Sequence, residues 1–222
     1  MLSKVTERRS ETELTQTSRG GVLYVVSSPS GGGKGTLIRR VLDVVPDLSY
    51  SVSYTTRAPR NGEVDGREYF FVDRERFEEM IAADEFLEWA NVHGHLYGTA
   101  RQQVKDEIER GKDIVLEVDV QGAASVKRLG LDSVSVFILP PSLETLRERL
   151  LARGTDTAES LAIRLRNAPE ELSQYSSFDY VILNDDVDRA TSQLAAIISA
   201  ERARRSRQAG LVNDVVQKFK PN

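Results

Sequence analysis

The chain has 222 residues, 40% of them apolar and 29% charged, with a formal net charge of -4 and no cysteine. That length suits one α/β domain with small insertions. The charge offers no global basic field for nucleic acid, and the lack of cysteine excludes a disulfide scaffold, Cys-ligated zinc and thiol chemistry.

No apolar run approaches the ~20 residues of a membrane span. Residues 1–20 mix Ser, Thr, Glu and Arg without the apolar stretch of a secretory signal. They are expected to form a disordered arm on a cytoplasmic protein. From Gly20 onward, strand-like runs alternate with amphipathic helices, the signature of an α/β fold with a mostly parallel sheet. Val22 to Val26 is apolar, β-branched and uncharged, a buried strand. It runs into Ser27-Ser28-Pro29-Ser30-Gly31-Gly32-Gly33-Lys34-Gly35-Thr36, and helical spacing follows to about Val45, stopped by Pro46. Strand, Gly-rich turn and helix make a phosphate loop. Successive glycines let backbone N–H groups turn inward as an anion nest, and the helix start adds its unpaired N–H groups. Lys34 supplies a mobile positive charge for a transferring phosphoryl group. Ser28 replaces the first Gly of the G-x-x-x-x-G-K-[ST] pattern, and Gly35 replaces its hydroxyl residue; Thr36 is the nearest hydroxyl.

Residues Tyr50 to Tyr54 read as a strand, followed by a turn-rich loop carrying Arg57 and Arg60. Two guanidinium forks three residues apart suit one phosphate, with hydroxyls from Tyr69 and Tyr97 beside them. Tyr69 to Val72 is a short strand, Asp73 an N-cap for a helix over Arg74 to Ala83, and Phe86 to Val92 and Leu96 to Thr99 two strands joined at Gly94. Residues 51–102 thus form a small strand-rich insertion. Trp89 and the phenylalanines read as core, and His93 and His95 as structural or surface residues. After a helix over Ala100 to Arg110, the main sheet resumes at Asp113 to Asp119. Its end, Glu117-Val118-Asp119, lies where open parallel sheets bind ligands, and alternation puts both acids on one face. Asp119 fits the acid that holds magnesium directly or through water, while an N-cap for a helix near Gln121 is its plain alternative.

Val134 to Leu139 is the next strand, and Ser142 caps the helix after Pro140-Pro141. Arg147, Arg149, Arg153, Arg164 and Arg166 follow on a helix–loop–helix with Gly154-Thr155 as its hinge; either a solvated face or a clamp on a phosphoryl group fits them. Pro169 should kink or end the second helix, which starts near Asp156. Tyr180 to Leu183 is a last strand, and a final helix runs from Val187 past Arg205. Its basic end, Arg202 to Arg207, reads as solvated, and beyond Gly210 the chain should fray.

Taken together, these residues resemble a guanylate kinase, the ATP:GMP phosphotransferase among nucleoside monophosphate kinases, over about Gly21 to Arg207. The resemblance rests on Ser28 to Leu37, Ser51 to Arg57, Pro59 to Glu63, Gly66 to Phe71, Phe86 to Ala90, Leu96 to Thr99, Asp119 to Gly122, Pro140 to Ser142 and Asn184 to Asp186. It implies a P-loop nucleoside triphosphate hydrolase-like three-layer fold with a central parallel sheet. The core would comprise 21–50, 103–145 and 167–207, with a GMP-binding lobe at 51–102, a helical lid at 146–166 and a frayed tail at 208–222.

By the same resemblance, ATP with Mg2+ would lie on Ser28, Pro29, Ser30, Gly31, Gly32, Gly33, Lys34, Gly35 and Thr36, with Asn184 near the adenine. Arg57, Arg60, Tyr69 and Tyr97 would hold the phosphate of GMP or dGMP, and Ser53, Glu88 and Thr99 would read guanine. Glu117 and Asp119 would border GMP, Thr36 and Asp119 would serve the metal, and Lys34, Arg57, Arg149, Arg153 and Arg164 would act in transfer. A homo-oligomer is left open. Gly35 gives the Gly-Lys-Gly-Thr form also found in adenylate kinases, Glu117 replaces a common Asp, and Pro169 stands where the family continues a helix. A peptide-binding scaffold lacking catalysis is disfavoured by the intact Lys34 and lid arginines, and an AMP or UMP kinase by Ser53 and Glu88.

Overall fold

A computed structural model describes residues 20–92, 94–154 and 157–220. The N-terminal arm, His93, the hinge at Thr155 and the side chain of Arg153 lie outside the described residues. Uncharged apolar strands need cover on both faces, and here they lie side by side in a wholly parallel sheet. Its strands are β1 (Leu23–Ser27), β2 (Leu48–Tyr50), β7 (Asp113–Glu117), β8 (Ser133–Leu139) and β9 (Tyr180–Leu183), in the order β2-β7-β1-β8-β9.

Alternation along β1 divides the core in two. Tyr24 and Val26 face α1 (Lys34–Val44) and α7 (Val187–Arg202), packing with Leu37, Ile38, Val41, Leu194 and Ile198. Leu23 and Val25 face the other way, toward Val104 of α3 (Arg101–Glu109) and Val126 of α4 (Val120–Arg128). Each fully buried aliphatic side chain contributes about 1.5–3 kcal/mol, so these layers fix the sheet that presents the loops at its carboxyl edge.

A second sheet has the order β4-β3-β6-β5, from β3 (Tyr54–Thr55), β4 (Phe70–Phe71), β5 (Phe86–Val92) and β6 (His95–Ala100). Asp73 caps α2 (Arg74–Ala82), accepting from Arg76 N–H, and Phe77 and Met80 pack beneath the sheet with Phe86 and Leu96. The strand expected over Tyr50 to Tyr54 is split between the sheets. Tyr50 ends β2, the Ser51 N–H still bonds the Val115 carbonyl at 3.0 Å, and Tyr54 begins β3. Along β5 the pairing slips between Phe86 and Glu88, a bulge that sends Phe86, Leu87 and Glu88 all inward. Trp89 then points outward and is 45% exposed, so it is not core.

Helices α5 (Leu143–Arg153) and α6 (Ala158–Ser173) pack through Leu146, Leu150 and Ala168. Ser142 caps α5 by accepting the Thr145 N–H. Pro169 does not end α6, which continues to Ser173 and packs on α5 through Leu161, Leu165 and Ala168. Nor does the final strand–helix unit run past Arg205. α7 stops at Arg202, a 3-10 turn spans Arg205–Gln208, and α8 (Ala209–Lys218) replaces the expected fraying. The basic end is not merely solvated either. Arg202 Nε reaches the buried Asp113 at 2.7 Å, and Arg207 pairs with Glu201 and Asp132. Among the described residues, no helix is long and apolar enough to cross a membrane.

Candidate active site

The phosphate loop follows β1, the central strand, at the carboxyl edge where the chain's crossovers diverge to either side. Gly31 and Gly33 adopt φ of 89° and 92°, a region that favours glycine. A Cβ at Gly31 would strike Leu150, and one at Gly33 would lie 2.4 Å from Asn184 Nδ2. Asn184, after β9, is a strut for the loop: its Nδ2 donates to the Gly32 carbonyl at 2.9 Å. Its Oδ1 is buried without a partner among the described residues, an acceptor left for a donor group such as an adenine amine. Arg149 joins them, donating to the carbonyls of Gly32 at 3.3 Å and Asn184 at 2.8 Å.

Glu117, at the end of β7, is the acid next to the loop. Its Oε1 lies 3.8 Å from Lys34 Nζ, and its Oε2 accepts from the Tyr50 hydroxyl at 3.3 Å. Burial, reinforced by Glu117, raises the Tyr50 pKa far above the usual phenol range, so the hydroxyl stays a donor. Gly35 matters to this arrangement: a Cβ there would sit 3.1–3.2 Å from both Glu117 oxygens. The carboxylate therefore reaches into the place of the missing loop hydroxyl, while Thr36 is exposed at the cleft wall. Asp119 does not share that position. Its side chain caps α4, accepting the Gly122 N–H at 2.9 Å, and the alternation expected between the two acids ends with the strand at Glu117. Among the described residues, no group of three His, Asp or Glu side chains is placed to hold a metal. Magnesium commonly needs fewer, because it keeps waters and substrate phosphates as ligands.

Beyond Lys34 the cleft extends along the small sheet. A cavity of about 150 Å³ brings Ser28, Ser30, Gly31 and Lys34 together with Ser53, Arg57, Arg60, Tyr69, Glu88, Tyr97, Glu117, Asp119 and Arg164. It adjoins a wider cleft of about 870 Å³ lined by the loop, Thr36, Tyr69, Glu117, Arg149 and Asn184. Arg57 lies over the Tyr69 and Phe71 rings, 5.4 and 5.7 Å from their centroids, and both oxygens of Glu63 accept from its Nη2 at 2.9 Å. Burial disfavours the Arg57 charge, yet the Glu63 hydrogen bond and charge outweigh it and raise its pKa. Glu63 also accepts the backbone N–H of Arg60 at 2.7 Å, so the carboxylate that holds the Arg57 guanidinium is itself tied into the loop.

Glu88 is 7% exposed, with Thr99 Oγ1 donating to Oε1 at 2.6 Å. Its other oxygen rests against the first turn of α4, where a Cβ on Gly122 would approach to 2.7 Å. Burial, with a further push from Asp119, raises its pKa to about 7 against the opposing Thr99 bond. Arg164, on α6, donates to Ser30 Oγ at 2.5 Å. The structure thus gathers the loop, Ser53, both arginines, both tyrosines, Glu88, Glu117, Asp119, Arg149 and Arg164 around one cleft. The sequence alone assigns no site role to Tyr50, Glu63 or Gly122: Tyr50 and Gly122 act through Glu117 and Glu88 on other elements, and Glu63 through Arg57 within its own loop.

The family model described as Guanylate kinase matches residues 21–201. A guanylate kinase of Symbiobacterium thermophilum is 49% identical over 199 residues, 89% of this chain and 94% of that protein. One of Caldanaerobacter subterraneus is 49% identical over 191 residues, 86% of this chain and 93% of its own length. The crystal structure of guanylate kinase from Anaplasma phagocytophilum, 35% identical, superimposes with a TM-score of 0.75 over 92% of this chain and 98% of that one.

Proposed function

The chain belongs to the guanylate kinase family, and on that premise we propose that the cleft transfers the γ-phosphoryl group of ATP to a GMP phosphate oxygen, releasing ADP and GDP. The observation that carries this reading is one cleft with the Gly-rich nest and Lys34 on one wall and the buried Glu88 with Arg57, Arg60, Tyr69 and Tyr97 on the other. Two polyanions must meet, and cationic groups on both sides are what such a meeting requires.

The loop amides and Lys34 bind the ATP phosphates, and Asn184 Oδ1 accepts from the adenine. Arg57 and Arg60, with the two tyrosine hydroxyls, take the GMP phosphate, which displaces the Glu63 carboxylate from the Arg57 guanidinium it now holds. Glu88 accepts from guanine N1–H and its exocyclic amine, with Ser53 and Thr99 beside it. Arg149, Arg153 and Arg164 address the transferring group, where positioning and charge matter more than a strong base. Mg2+, when bound, would neutralise charge on the ATP phosphates; Glu117 beside Lys34, Thr36 and Asp119 are the residues that would hold it, directly or through water. Because recognition addresses base and phosphate, dGMP is a second acceptor, and the GDP formed feeds purine nucleotide supply. Both substrates are water-soluble nucleotides, which supports a cytoplasmic site of action.

A coupled ADP-release assay with GMP, dGMP, AMP and UMP tests the reading. GMP should exceed AMP in kcat/KM by about 10⁴-fold, since a site built on buried hydrogen bonds leaves its own groups unpaired against the wrong base. A preference for AMP or UMP overturns it.

A further inference from the structure

Ser30, within the phosphate loop, is gripped twice by α6. Its N–H donates to Glu171 Oε2 at 3.0 Å, and its hydroxyl oxygen accepts from Arg164 Nη1 at 2.5 Å. The two grips are seven residues apart, two helical turns, so they share one face of the helix. Between them stands Pro169, inside the helix. Without an N–H it cannot bond the Leu165 carbonyl, so the ladder lacks a rung between the two grips.

The charges are unlike. Arg164 suits a cleft that receives phosphates, whereas the Glu171 carboxylate lines the same cleft and repels them. An anion retained there needs a compensating task, and its hydrogen bond to a loop N–H supplies one. Packing of α6 does not depend on it, because Leu161, Leu165 and Ala168 already bind the helix to Leu146 and Leu150.

We propose that Glu171 is a positioning residue: it fastens the C-terminal end of α6 to the phosphate loop through the Ser30 N–H, while the segment carrying Arg164 flexes at Pro169, leaves the Ser30 hydroxyl and reaches the transferring phosphoryl group. The transfer role of Arg164 rests on the function proposed above; the Ser30–Glu171 fastening does not.

Two readouts separate these layers. In substrate-free protein, amide exchange at Ser30 should be slow in wild type and Glu171→Gln, whose amide oxygen still accepts, and fast in Glu171→Ala and in Glu171→Asp, which is one methylene too short. In turnover, Glu171→Ala should lower kcat by about 10- to 100-fold with KM for ATP and GMP within about threefold, because a displacement near 1 Å costs that much. Glu171→Gln should recover most of the loss. Pro169→Ala, which restores the rung to the Leu165 carbonyl, should slow exchange across α6 and lower kcat. If Glu171→Ala fails to fold, Glu171→Asp carries the same test. Unchanged Ser30 exchange or unchanged kcat in a folded Glu171→Ala or Glu171→Asp protein overturns the fastening, as does a Gln variant as slow as Ala. Unaltered turnover in Pro169→Ala overturns the flexure. A wild-type chain inactive on GMP sinks the kinase reading and leaves the fastening to be judged on Ser30 alone.

Discussion

Glu88 shows how a residue suited to its ligand is ill suited to the empty protein. Burial holds its pKa near 7, so at neutral pH the empty site is about half protonated. Guanine requires the ionised form, because its two N–H groups both donate. A proton therefore competes with GMP, and KM for GMP should rise as pH falls below 7, by up to about tenfold per unit. Glu88→Gln should abolish that slope and lower kcat/KM for GMP by roughly 10²-fold, with the KM for ATP little changed. Rate profiles from pH 5.5 to 8.5 decide it: a flat wild-type profile contradicts the assignment. Stability should move in the opposite sense. The native carboxyl binds its proton more tightly than the unfolded one, whose pKa is about 4.5, so its contribution is full below that value and is lost as pH rises through 7. Glu88→Gln should thus be more stable than wild type at pH 8, by up to ~3 kcal/mol, and nearly equal to it at pH 4.5, as read from urea midpoints. The importance of Glu88 was legible from its family setting, but its environment was not. The expectation that Trp89 is core fails, because the bulge and strand alternation turn it outward, and the α4 turn at Gly122 lies against Glu88 instead.

At the scale of elements, legibility followed locality. The phosphate loop, the Asp73 and Ser142 caps and the parallel strands β1, β7, β8 and β9 are written in short-range patterns, and each forms where the pattern puts it, whereas β2 ends at Tyr50, where the expected strand begins. What failed depends on distant partners. Glu171 meets Ser30 across 141 positions, and Pro169 stays helical because of what α6 packs against. Arg202 and Arg207 read as solvated until the fold supplies Asp113, Glu201 and Asp132. The C-terminal helix is a different case: α8 forms although none of its residues is buried. It also lies beyond the family match, which ends at 201. Truncation after Gln208 should therefore change kcat by less than about twofold and stability by less than about 1 kcal/mol. Thermal melting and steady-state assays of the shortened chain would test this, and a large loss in either would assign α8 a role in the catalytic domain.

For the molecule as a whole, the question is how two separated walls come to enclose one reaction. The phosphate loop belongs to the parallel sheet, and the residues proposed for GMP belong largely to the small sheet, joined to it through Ser51–Ser53 and at Ala100–Arg101. The wide cleft between them, about 870 Å³, admits water, and water would divert the γ-phosphoryl group to hydrolysis. Transfer therefore requires closure once both substrates are present. The α5–α6 unit already touches the loop through Arg149 and Arg164, so the larger displacement should come from the small sheet. Its connections leave freedom for that, although Leu87 remains packed with Val118 and Ala123 and would act as the pivot. Exchange of Glu63 for the GMP phosphate at the Arg57 guanidinium supplies a ligand-dependent difference between open and closed states, which any ligand-driven shift must have. GMP alone should then close the molecule in part, and GMP with a non-hydrolysable ATP analogue fully. Small-angle scattering would register this as a stepwise fall in radius of gyration from the ligand-free value, on the scale of about 17 Å for a compact chain of this length. The Glu63→Gln variant sharpens the test: with the carboxylate charge removed Arg57 is held less strongly, so GMP should close it at lower concentration than wild type. A radius unchanged at saturation with both ligands would show that the walls already stand at reacting distance, and closure would have no part in the mechanism.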